Sequence, residues 1–507
     1  MVFLANRQYS GLPQVKQGVA SKINIPAPTG GLNTKDAESQ MPATDAVFME
    51  NWWPGQGSLS TRKGYTPYVT GLTGDVETLM EYNAVATRVH MCANNGEIND
   101  ITNPASIVNL GSGFTNNRWQ EANFNANMLL VNGADTPQVF DGSTLTSSTI
   151  SGSGLTPSDL DGVNIHKNRV FVWNSNAQDF WYGATNAIGG TFTKFPLSRV
   201  ARSGGNLISM QTWNLDGGDG VDDYALFLMS SGDVLLYAGT DPGSDWSLVG
   251  TFTIGAPIAI RGAKKVGSDV VIITDQDFVL FSEVFKSGGF TTGQSKLSGA
   301  ALEAADLYRA NYGWEVVTYP AAGWLMFNVP VATGVTYIQY VVNTITGAAT
   351  KFTNMNAFTW GLYNENLFFG SSGTVFHADS GLNDNGDYIV CDVRQAFNNL
   401  GSNLPKTINS YRNTIKTDGT TVINSGISFD YGVSNISQSI SSDSVGSFWD
   451  VALWDVALWS PESQTRSRLV LSSGTGVDVS MRLKTSLKGQ QVFWYRTDYS
   501  YILNNTV

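Results

Sequence analysis

The 507-residue chain carries few charges, since Asp, Glu, Lys and Arg make up 14% of it, against roughly 25% in an average globular protein. Its 42 acidic residues outnumber its 30 basic ones, and the net charge is −12. Nucleic-acid binding by phosphate neutralisation requires clustered Lys and Arg, and this sequence has no such cluster. The densest basic spots, Arg62-Lys63, Lys264-Lys265 and the pair Arg466 and Arg468, are better explained as solvated strand ends.

The sequence shows no sign of a membrane-spanning segment or of a disulfide framework. Met1 to Ala20 has no apolar core of a signal peptide, and no run of about eighteen apolar residues occurs. We therefore expect no signal peptide, no transmembrane helix and no stable membrane insertion. Cys92 and Cys391 lie in apolar, strand-like segments far apart in the sequence, which predicts two buried free thiols.

Aromatic residues and glycines indicate the fold class. The chain has 14 Trp, 19 Tyr and 25 Phe, which favour strands, and 53 Gly, which together with Asn favours the turns between strands. Apolar residues make up 42% of the chain, enough for a large core. These features predict an all-β protein.

Residues 1–70 are predicted to form an extended N-terminal arm. Pro26, Pro28 and Gly30 break any helix there, and only Asp45–Trp53 has a helical pattern. A segment this long and irregular must be held in place by its own domain or by a neighbouring subunit.

Residues 71–400 repeat one unit, in which a short apolar strand, a turn with Asn, Asp or Gly, and a second apolar strand follow each other. Roughly six or seven units recur about every 40 to 60 residues, close to the blade period of a β-propeller. Blades stacked around an axis bury apolar faces that a hairpin leaves exposed, so we expect a propeller core, with a pair of β-sandwiches as the competing layout. The clearest units are Val89–Ile98, Met128–Gly142, Arg169–Gly183, Ala225–Gly239, Asp269–Phe281, Trp324–Val342 and Asn366–Ala378.

Two segments depart from this repeat. Alanines at helical spacing predict a single helix over Ser298–Tyr312, between two blades. Residues 401–507 change in character and contain the tandem echo Phe448–Trp459. They are predicted to form an additional C-terminal β-domain, or an outer sheet that also includes the N-terminal arm.

No catalytic, cofactor-binding or metal-binding residues are predicted. The only three histidines, His90, His166 and His377, lack zinc-ligand spacing, and no HExxH, CxxC, GxSxG or phosphate-binding glycine loop occurs. A Ser/His/Asp triad stays open, because its members need not be near each other in sequence, but nothing marks one. We therefore expect no cofactor and no enzymatic activity.

One acidic run suggests a hypothetical metal site. Asp216, Asp219 and Asp222, with Asp223, offer the oxygen ligands that Ca²⁺ prefers. Their spacing does not match an EF-hand loop, so a plain turn before the strand Tyr224–Met229 is the alternative.

A second set of motifs points to sugars. Thr240–Trp246 partly matches the Asp-box of sialidase-like propellers, which predicts a stabilised turn rather than an active site. Exposed tryptophans would stack on sugars, although core or subunit-interface positions explain these residues better. The tryptophans concerned are Trp52, Trp53, Trp181, Trp449, Trp454 and Trp459.

Several short segments follow each other in an order and at spacings that point to one family. They are Pro28–Asn33, Met41–Ala46, Asn51–Pro54, Arg62–Tyr65, Val131–Gly133, Val139–Gly142, His166–Arg169, Phe180–Tyr182, Trp213–Asp223, Ser230–Val234 and Tyr237–Pro242. Together, over roughly residues 25–290, they resemble structural tail proteins of short-tailed, podovirus-type bacteriophages. The segment Trp449–Trp459 and Tyr495 are similar but less specific.

The resemblance implies a tail nozzle subunit, with a β-propeller, in a homo-oligomeric ring that is usually a hexamer. Such a ring extends and closes the DNA-ejection channel below the portal and adaptor proteins. The implied partners are other copies of the chain, the adaptor and portal proteins, tail fibres or spikes, and genomic DNA in transit. The implied location is the virion tail, after assembly in the bacterial cytoplasm, and the resemblance implies no catalytic residues.

Two other interpretations stay open. A carbohydrate-binding or sialidase-like propeller, acting as a receptor-binding protein, is favoured by the partial Asp-box and the tryptophans. A secreted propeller adhesin is the third interpretation, and the expected lack of a signal peptide counts against it.

Overall fold

The computed structural model describes residues 20–216, 221–288, 295–419, 421–433, 436, 438–442 and 464–504. Within these ranges the regular structure is β-strand, apart from helices α1 (Phe281–Ser287) and α2 (Ser298–Tyr308) and three short 3-10 helices. The predicted all-β fold is therefore confirmed, and so is the predicted helix, which ends at Tyr308. No helix in the described ranges is long and apolar enough to span a bilayer.

The N-terminal arm is built of strands. The helical pattern expected over Asp45–Trp53 is wrong, because Ala46, Met49 and Trp52 are buried in a sheet-to-sheet core and Met49 pairs with Val393 of a distant strand. Tertiary pairing thus overrides the local helical pattern. In chain order the strands of the arm are β1 (Ser21–Pro26), β2 (Gly31–Leu32), β3 (Asp45–Glu50), β4 (Trp52–Pro54) and β5 (Leu59–Thr61).

Five successive sheets form blades of a β-propeller, and each is made of strands consecutive in sequence. The first blade contains β6 (Tyr65–Asn83), β7 (Arg88–Asn94), β8 (Glu97–Asp100) and β9 (Val108–Ser112). The second contains β10 (Gln120–Phe124), β11 (Asn127–Val131), β12 (Gln138–Phe140) and β13 (Leu145–Ser147). The third contains β14 (Ser151–Gly152), β15 (Gly162–His166), β16 (Arg169–Trp173), β17 (Asp179–Tyr182) and β18 (Thr191–Pro196). The other two contain β19 (Leu207–Asp216), β20 (Val221–Met229), β21 (Asp233–Ala238) and β22 (Ser247–Thr253); and β23 (Ala263–Val266), β24 (Asp269–Ile273) and β25 (Phe278–Leu280). The strands of these five blades pair antiparallel, except that β14 and β18 of the third blade pair in parallel.

Two further sheets complete the circle. They contain β26 (Glu315–Tyr319), β27 (Trp324–Ala332), β28 (Thr336–Asn343) and β29 (Ala349–Phe352), and then β30 (Thr359–Tyr363) and β31 (Asn366–Ala378). Strand β6 is shared, since its first half pairs with β31 and its second half pairs with β7. The first strand of the propeller, β6, thus closes the ring by pairing with its last strand, β31. The inner strands contact each other in turn around the axis; they are β6, β10, β15, β19, β23, β26 and β30.

Each gap between neighbouring sheets has its own apolar cluster. Met91 and Phe140, for example, fill the gap between the first and second blades, and Phe171 and Phe227 fill that between the third and fourth. The repeating apolar hairpins of the sequence therefore bury both faces, as the propeller prediction requires.

The strands after the propeller join those of the arm in two packed sheets. One sheet has the order β36-β33-β39-β5-β4, with β1 paired to β39 and β37 to β33; the other extends the β26–β29 sheet through β2, β3, β32, β38, β34 and β35. The new strands are β32 (Ile389–Gln395), β33 (Lys406–Thr417), β34 (Thr421–Phe429), β35 (Gln438–Ser442), β36 (Gln464–Leu471), β37 (Thr475–Gly476), β38 (Val479–Leu487) and β39 (Val492–Leu503). We call this part the sandwich.

A buried ion pair joins the sandwich to the propeller. The Arg62 guanidinium binds both carboxylate oxygens of Asp384 at 2.7 and 2.8 Å, and both side chains are 0% exposed. The same guanidinium donates to Asn51 Oδ1 and to the Thr353 carbonyl. Arg62, expected to be a solvated strand end, is therefore an interior structural residue.

Both cysteines are buried free thiols, as predicted. Burial raises the pKa of Cys92 to about 12 and raises the pKa of Cys391 as well. Both thiols are therefore protonated at neutral pH.

Candidate functional site

The three histidines occupy packed positions in the propeller. His90 stacks on Tyr363 with ring centroids 4.8 Å apart, and neither of its ring nitrogens has a hydrogen-bond partner among the described residues. Burial lowers the pKa of His90 to about 3 and that of His166, whose Nδ1 lies 3.1 Å from Thr212 Oγ1, to about 4. His377 stacks on Phe368. Among the described residues, no group of three or more His, Cys, Asp or Glu side chains is placed to hold a metal ion.

The calcium hypothesis falls largely outside the described part of the chain. Asp219 and the side chains of Asp216 and Asp222 lie outside the described residues. The backbone of Asp216 pairs with that of Val221, where β19 and β20 meet. Calcium binding and a plain turn therefore both stay open as hypotheses for this segment.

The Asp-box-like segment forms a turn between β21 and β22. The Asp245 carboxylate accepts hydrogen bonds from the Thr240 amide, the Thr240 hydroxyl at 2.8 Å and the Asp241 amide at 2.6 Å. These hydrogen bonds lower the pKa of Asp245. Trp246 packs on Tyr237, with ring centroids 5.1 Å apart. The geometry is that of a turn stabiliser, as predicted.

The tryptophans proposed as sugar platforms do not form an exposed surface in the described residues. Trp52 and Trp181 are buried. Trp53 packs on Trp324 and Phe352. Trp449, Trp454 and Trp459 lie outside the described residues.

The best-defined concave site is an axial cavity of about 400 Å³ at the centre of the propeller. Its wall is built chiefly from the inner strands around the ring, which are β6, β10, β15, β19, β23, β26 and β30. Five charged side chains from four segments of the chain meet in this cavity: Glu81 of β6, Glu121 of β10, Arg261 and Lys264 at the start of the fifth blade, and Glu315 of β26.

Arg261 spans three sheets at one end of the cavity. Its Nη2 donates to Thr78 Oγ1 at 2.9 Å and to the Trp119 carbonyl at 2.6 Å, and its Nη1 donates to Thr359 Oγ1 at 3.0 Å. All of these acceptors are neutral. The guanidinium thus links strands on both sides of the point where the ring closes. Among the described residues it forms no direct ion pair.

Two of the cavity carboxylates have perturbed proton affinity. Removal from bulk water raises the pKa of Glu121 and of Glu315, while the positive charges of Arg261 and Lys264 partly oppose this. Glu315 Oε2 accepts a hydrogen bond from the Trp360 amide at 3.1 Å. Carboxylates of this kind, which are surrounded by protein but face a water-filled space, are candidates for ligand contact or proton transfer.

Further cavities adjoin the two ends of the axial cavity. One of these cavities, of about 510 Å³, is lined by residues near the beginnings of the inner strands. In it the Arg118 guanidinium lies 3.5 Å from the Tyr312 ring centroid and forms an ion pair with Glu77. Residues near the ends of β15, β19 and β23 line the other, of about 550 Å³, which includes Lys265 and His166. The axial cavity would hold about a dozen water molecules at ~30 Å³ each, so a DNA duplex does not fit along the blade axis.

Sequence reasoning missed Glu121, Arg261 and Glu315. They are isolated charges in three separate segments, and only ring closure brings them together. One signal could have found them: the chain carries little charge, yet these three ionisable residues lie in or beside apolar strands that line the propeller axis. Lys264 was noted in the sequence, but as a solvated strand end.

No family model and no curated protein matches this chain. Solved structures with a similar fold include YCF48 from Cyanidioschyzon merolae, at 10% identity and a TM-score of 0.40, covering 62% of this chain and 98% of that one. PorZ, a bacterial surface component of the type IX secretion system of Porphyromonas gingivalis, is 13% identical with a TM-score of 0.35, covering 64% of this chain and 42% of that one. Similarity at this level carries no argument about this chain.

Proposed function

We propose that this chain is a structural subunit of the tail nozzle of a short-tailed phage, in a ring that extends and closes the DNA-ejection channel. The resemblance across roughly residues 25–290 supports this proposal. In such a ring the DNA would pass between subunits, because the axial cavity of about 400 Å³ is too small for a DNA duplex. The action would be mechanical, and the subunit would need no catalytic residue.

The single observation that carries the proposal is an apolar edge of the sandwich that stays unpaired among the described strands. Strand β36 pairs with β33 on one side, and no described strand pairs with its other side. Leu469 and Leu471 on this strand are 60% and 76% exposed, and Val422 on β34 is 52% exposed. Exposed apolar edge strands template association with another chain, so soluble monomers usually protect them.

The proposed partners follow from the nozzle assignment. They are other copies of the chain in a hexameric ring, the adaptor and portal proteins, and tail fibres or spikes, with genomic DNA only in transit. The proposed location is the virion tail, after assembly in the bacterial cytoplasm. The net charge of −12 suits a channel protein that must let DNA slide rather than hold it.

The test is the oligomeric state of the purified full chain, by mass photometry and electron microscopy, alone and with neighbouring tail proteins. A closed ring is expected for the wild type, and Leu469→Ser with Leu471→Ser should abolish it. The matched control is Leu302→Ser with Leu307→Ser, two exposed leucines on α2, which should leave the ring intact. A wild-type chain that stays monomeric under all these conditions would contradict the proposal.

A carbohydrate-cleaving propeller is the second candidate, favoured by the carboxylates of Glu121 and Glu315 in the axial cavity. Glycosidases use such pairs as acid and base or nucleophile. The nearby Trp360 is only 3% exposed, so its ring is not available as a sugar platform. Hydrolysis of a bacterial surface polysaccharide that is lost in both Glu121→Gln and Glu315→Gln would favour this candidate, and wild-type inactivity on a polysaccharide panel would exclude it for those substrates.

A further inference from the structure

The axial cavity contains charges of both signs that do not neutralise each other directly. Among the described residues, the Lys264 ammonium has no hydrogen-bond or ion-pair partner, and Glu121 forms no ion pair. Among the described residues, the Arg261 guanidinium donates hydrogen bonds to neutral oxygens, and Glu315 accepts a hydrogen bond only from the Trp360 backbone amide. Glu121 and Glu315 nevertheless lie close enough to Lys264 to be influenced by its charge.

The side chains of Glu121 and Lys264 are exposed where they line the cavity, and those of Arg261 and Glu315 are half-buried. Both signs of charge are therefore available to a ligand that bridges them, without the loss of an existing ion pair. A neutral sugar would leave both charges without a counter-charge, and a simple cation or anion would compensate only one side. A molecule with one ammonium and one carboxylate group compensates both.

We propose that the axial cavity is a binding site for a small zwitterion, a free α-amino acid. Its ammonium group would bind Glu121 and Glu315, and its carboxylate would bind Lys264. The positive charge of Arg261 would add long-range attraction for the carboxylate. This proposal does not depend on the nozzle assignment, because the site lies within a single chain.

The size of the cavity agrees with this class of ligand. Its volume of about 400 Å³ is near the lower end of the roughly 300–1,000 Å³ found for small-molecule sites. Such a volume accommodates a free amino acid with a few waters and excludes a folded peptide or an oligosaccharide.

The axial cavity shares lining residues with the cavities at both of its ends. Asn164 and Gln211 also line the cavity at the ends of β15, β19 and β23, and Gln120 and Glu315 also line the cavity at the opposite end. A small ligand could therefore reach the axial cavity from either end.

The alternation of side chains along β23 supplies a matched pair of variants. Lys264 lines the axial cavity, whereas the next residue, Lys265, lines the adjoining cavity and donates to Asn214 Oδ1. Lys264→Met and Lys265→Met remove the same charge from neighbouring positions of one strand. Any general effect of lowering the positive charge of this end of the propeller should be common to both.

The experiment is calorimetric titration and thermal unfolding of the purified full chain with each standard α-amino acid, and with acetate, ethylammonium and glucose as probes. We expect at least one amino acid to bind with heat and to raise the unfolding temperature, and the singly charged probes and glucose to have little effect. Lys264→Met and Glu121→Gln should weaken that binding at least ~10-fold, while Lys265→Met leaves it unchanged.

Several results would overturn the proposal. One is the absence of binding by every amino acid to a wild-type chain that unfolds cooperatively. Another is equal weakening by Lys264→Met and Lys265→Met, and a third is binding of glucose or acetate as strong as that of the best amino acid. Because the titration does not require a ring, its failure is distinguishable from failure of the nozzle proposal.

Discussion

The propeller and the sandwich solve the same problem of strand pairing in opposite ways. The five blades mostly pair strands that are neighbours in sequence, so that hairpins such as β10–β11 form from local contacts. The sandwich pairs the two ends of the chain, and its register places Ser21 opposite Tyr501. Local contacts cost little loop-closure entropy, whereas pairing of distant segments requires most of the chain to be ordered first.

The two regions nevertheless share one core. A single apolar cluster contains Phe278 and Phe327 of the propeller as well as Met481 and Trp494 of the sandwich. The ten-stranded sheet likewise runs from β26 of the ring to β35 of the sandwich. We therefore expect the two regions to unfold together, although their strand pairings differ in sequence range. The following predictions test that expectation, from the largest effect to the smallest.

The largest effect is expected at the joint. Arg62→Ala leaves Asp384 buried without its counter-charge, which should lower the free energy of unfolding by about 3 to 5 kcal/mol. Chemical denaturation followed by both fluorescence and circular dichroism measures the loss. The two probes should still report one transition, and a second transition that appears only in this variant would show that Arg62 is what couples the regions.

Matched leucines compare the two cores directly. Leu235 on β21 of the propeller and Leu483 on β38 of the sandwich are both 0% exposed. Leu235→Ala and Leu483→Ala should each cost about 3 kcal/mol, because each leaves a cavity in a packed core. Both losses should shift the same denaturation midpoint. If Leu483→Ala shifts only part of the signal, the sandwich unfolds independently and the shared core is not cooperative.

Acid sensitivity should be concentrated in the propeller, which holds all three histidines. The pKa of His90 is about 3 in the folded chain against 6.5 for a free side chain, so below pH 6.5 the unfolded state binds the proton more readily. Stability is thus complete above pH 6.5 and falls as the pH drops toward 3, at up to ~1.4 kcal/mol per pH unit.

His90→Phe tests this assignment, since phenylalanine retains the stacking on Tyr363 without a titratable ring. Between pH 7 and pH 5 the wild type should lose about 2 kcal/mol more than this variant. His377→Phe, at a less buried stacked histidine, is the control and should retain most of the wild-type acid dependence. Identical pH profiles for wild type and His90→Phe would contradict the assignment.

The smallest effect is expected at the surface of the sandwich. Arg412 pairs with Asp498 at 2.9 Å, but its side chain is 46% exposed, so solvent screens the pair. Arg412→Ala should change the free energy of unfolding by less than about 1 kcal/mol. A loss as large as that of Arg62→Ala would mean that burial is not what separates the two ion pairs.

The difference in sequence range also explains which parts of the fold were predictable. Hairpins such as Ala225–Gly239 were recognisable as repeat units because their apolar strands and their turn lie next to each other. The helix over Ser298–Tyr308 was recognisable from its alanines. Asp45–Glu50 was misinterpreted because its partners, among them Arg394 and Val393, lie at the other end of the chain.

The candidate site was beyond the reach of local patterns for the same reason. Glu121, Arg261 and Glu315 belong to different sheets, and each taken alone is an ordinary charged residue. The Asp-box-like turn was predictable, because all of its hydrogen bonds lie within Thr240–Asp245. The nozzle function, the lack of enzymatic activity and the proposed partners stay predictions from the sequence resemblance.

The amino-acid sequence by itself determined the all-β class, the propeller repeat, the helix α2 and the free thiols, because composition and short-range periodicity encode them. Only the tertiary structure decided that the arm pairs with the last strand, that Arg62 is buried against Asp384, and that charged side chains from four separate segments share one axial cavity. The physical reason is the range of the interactions: a hairpin is specified by residues a few positions apart, whereas a closed ring and a sheet made from both chain ends depend on contacts that exist only once the whole chain has folded.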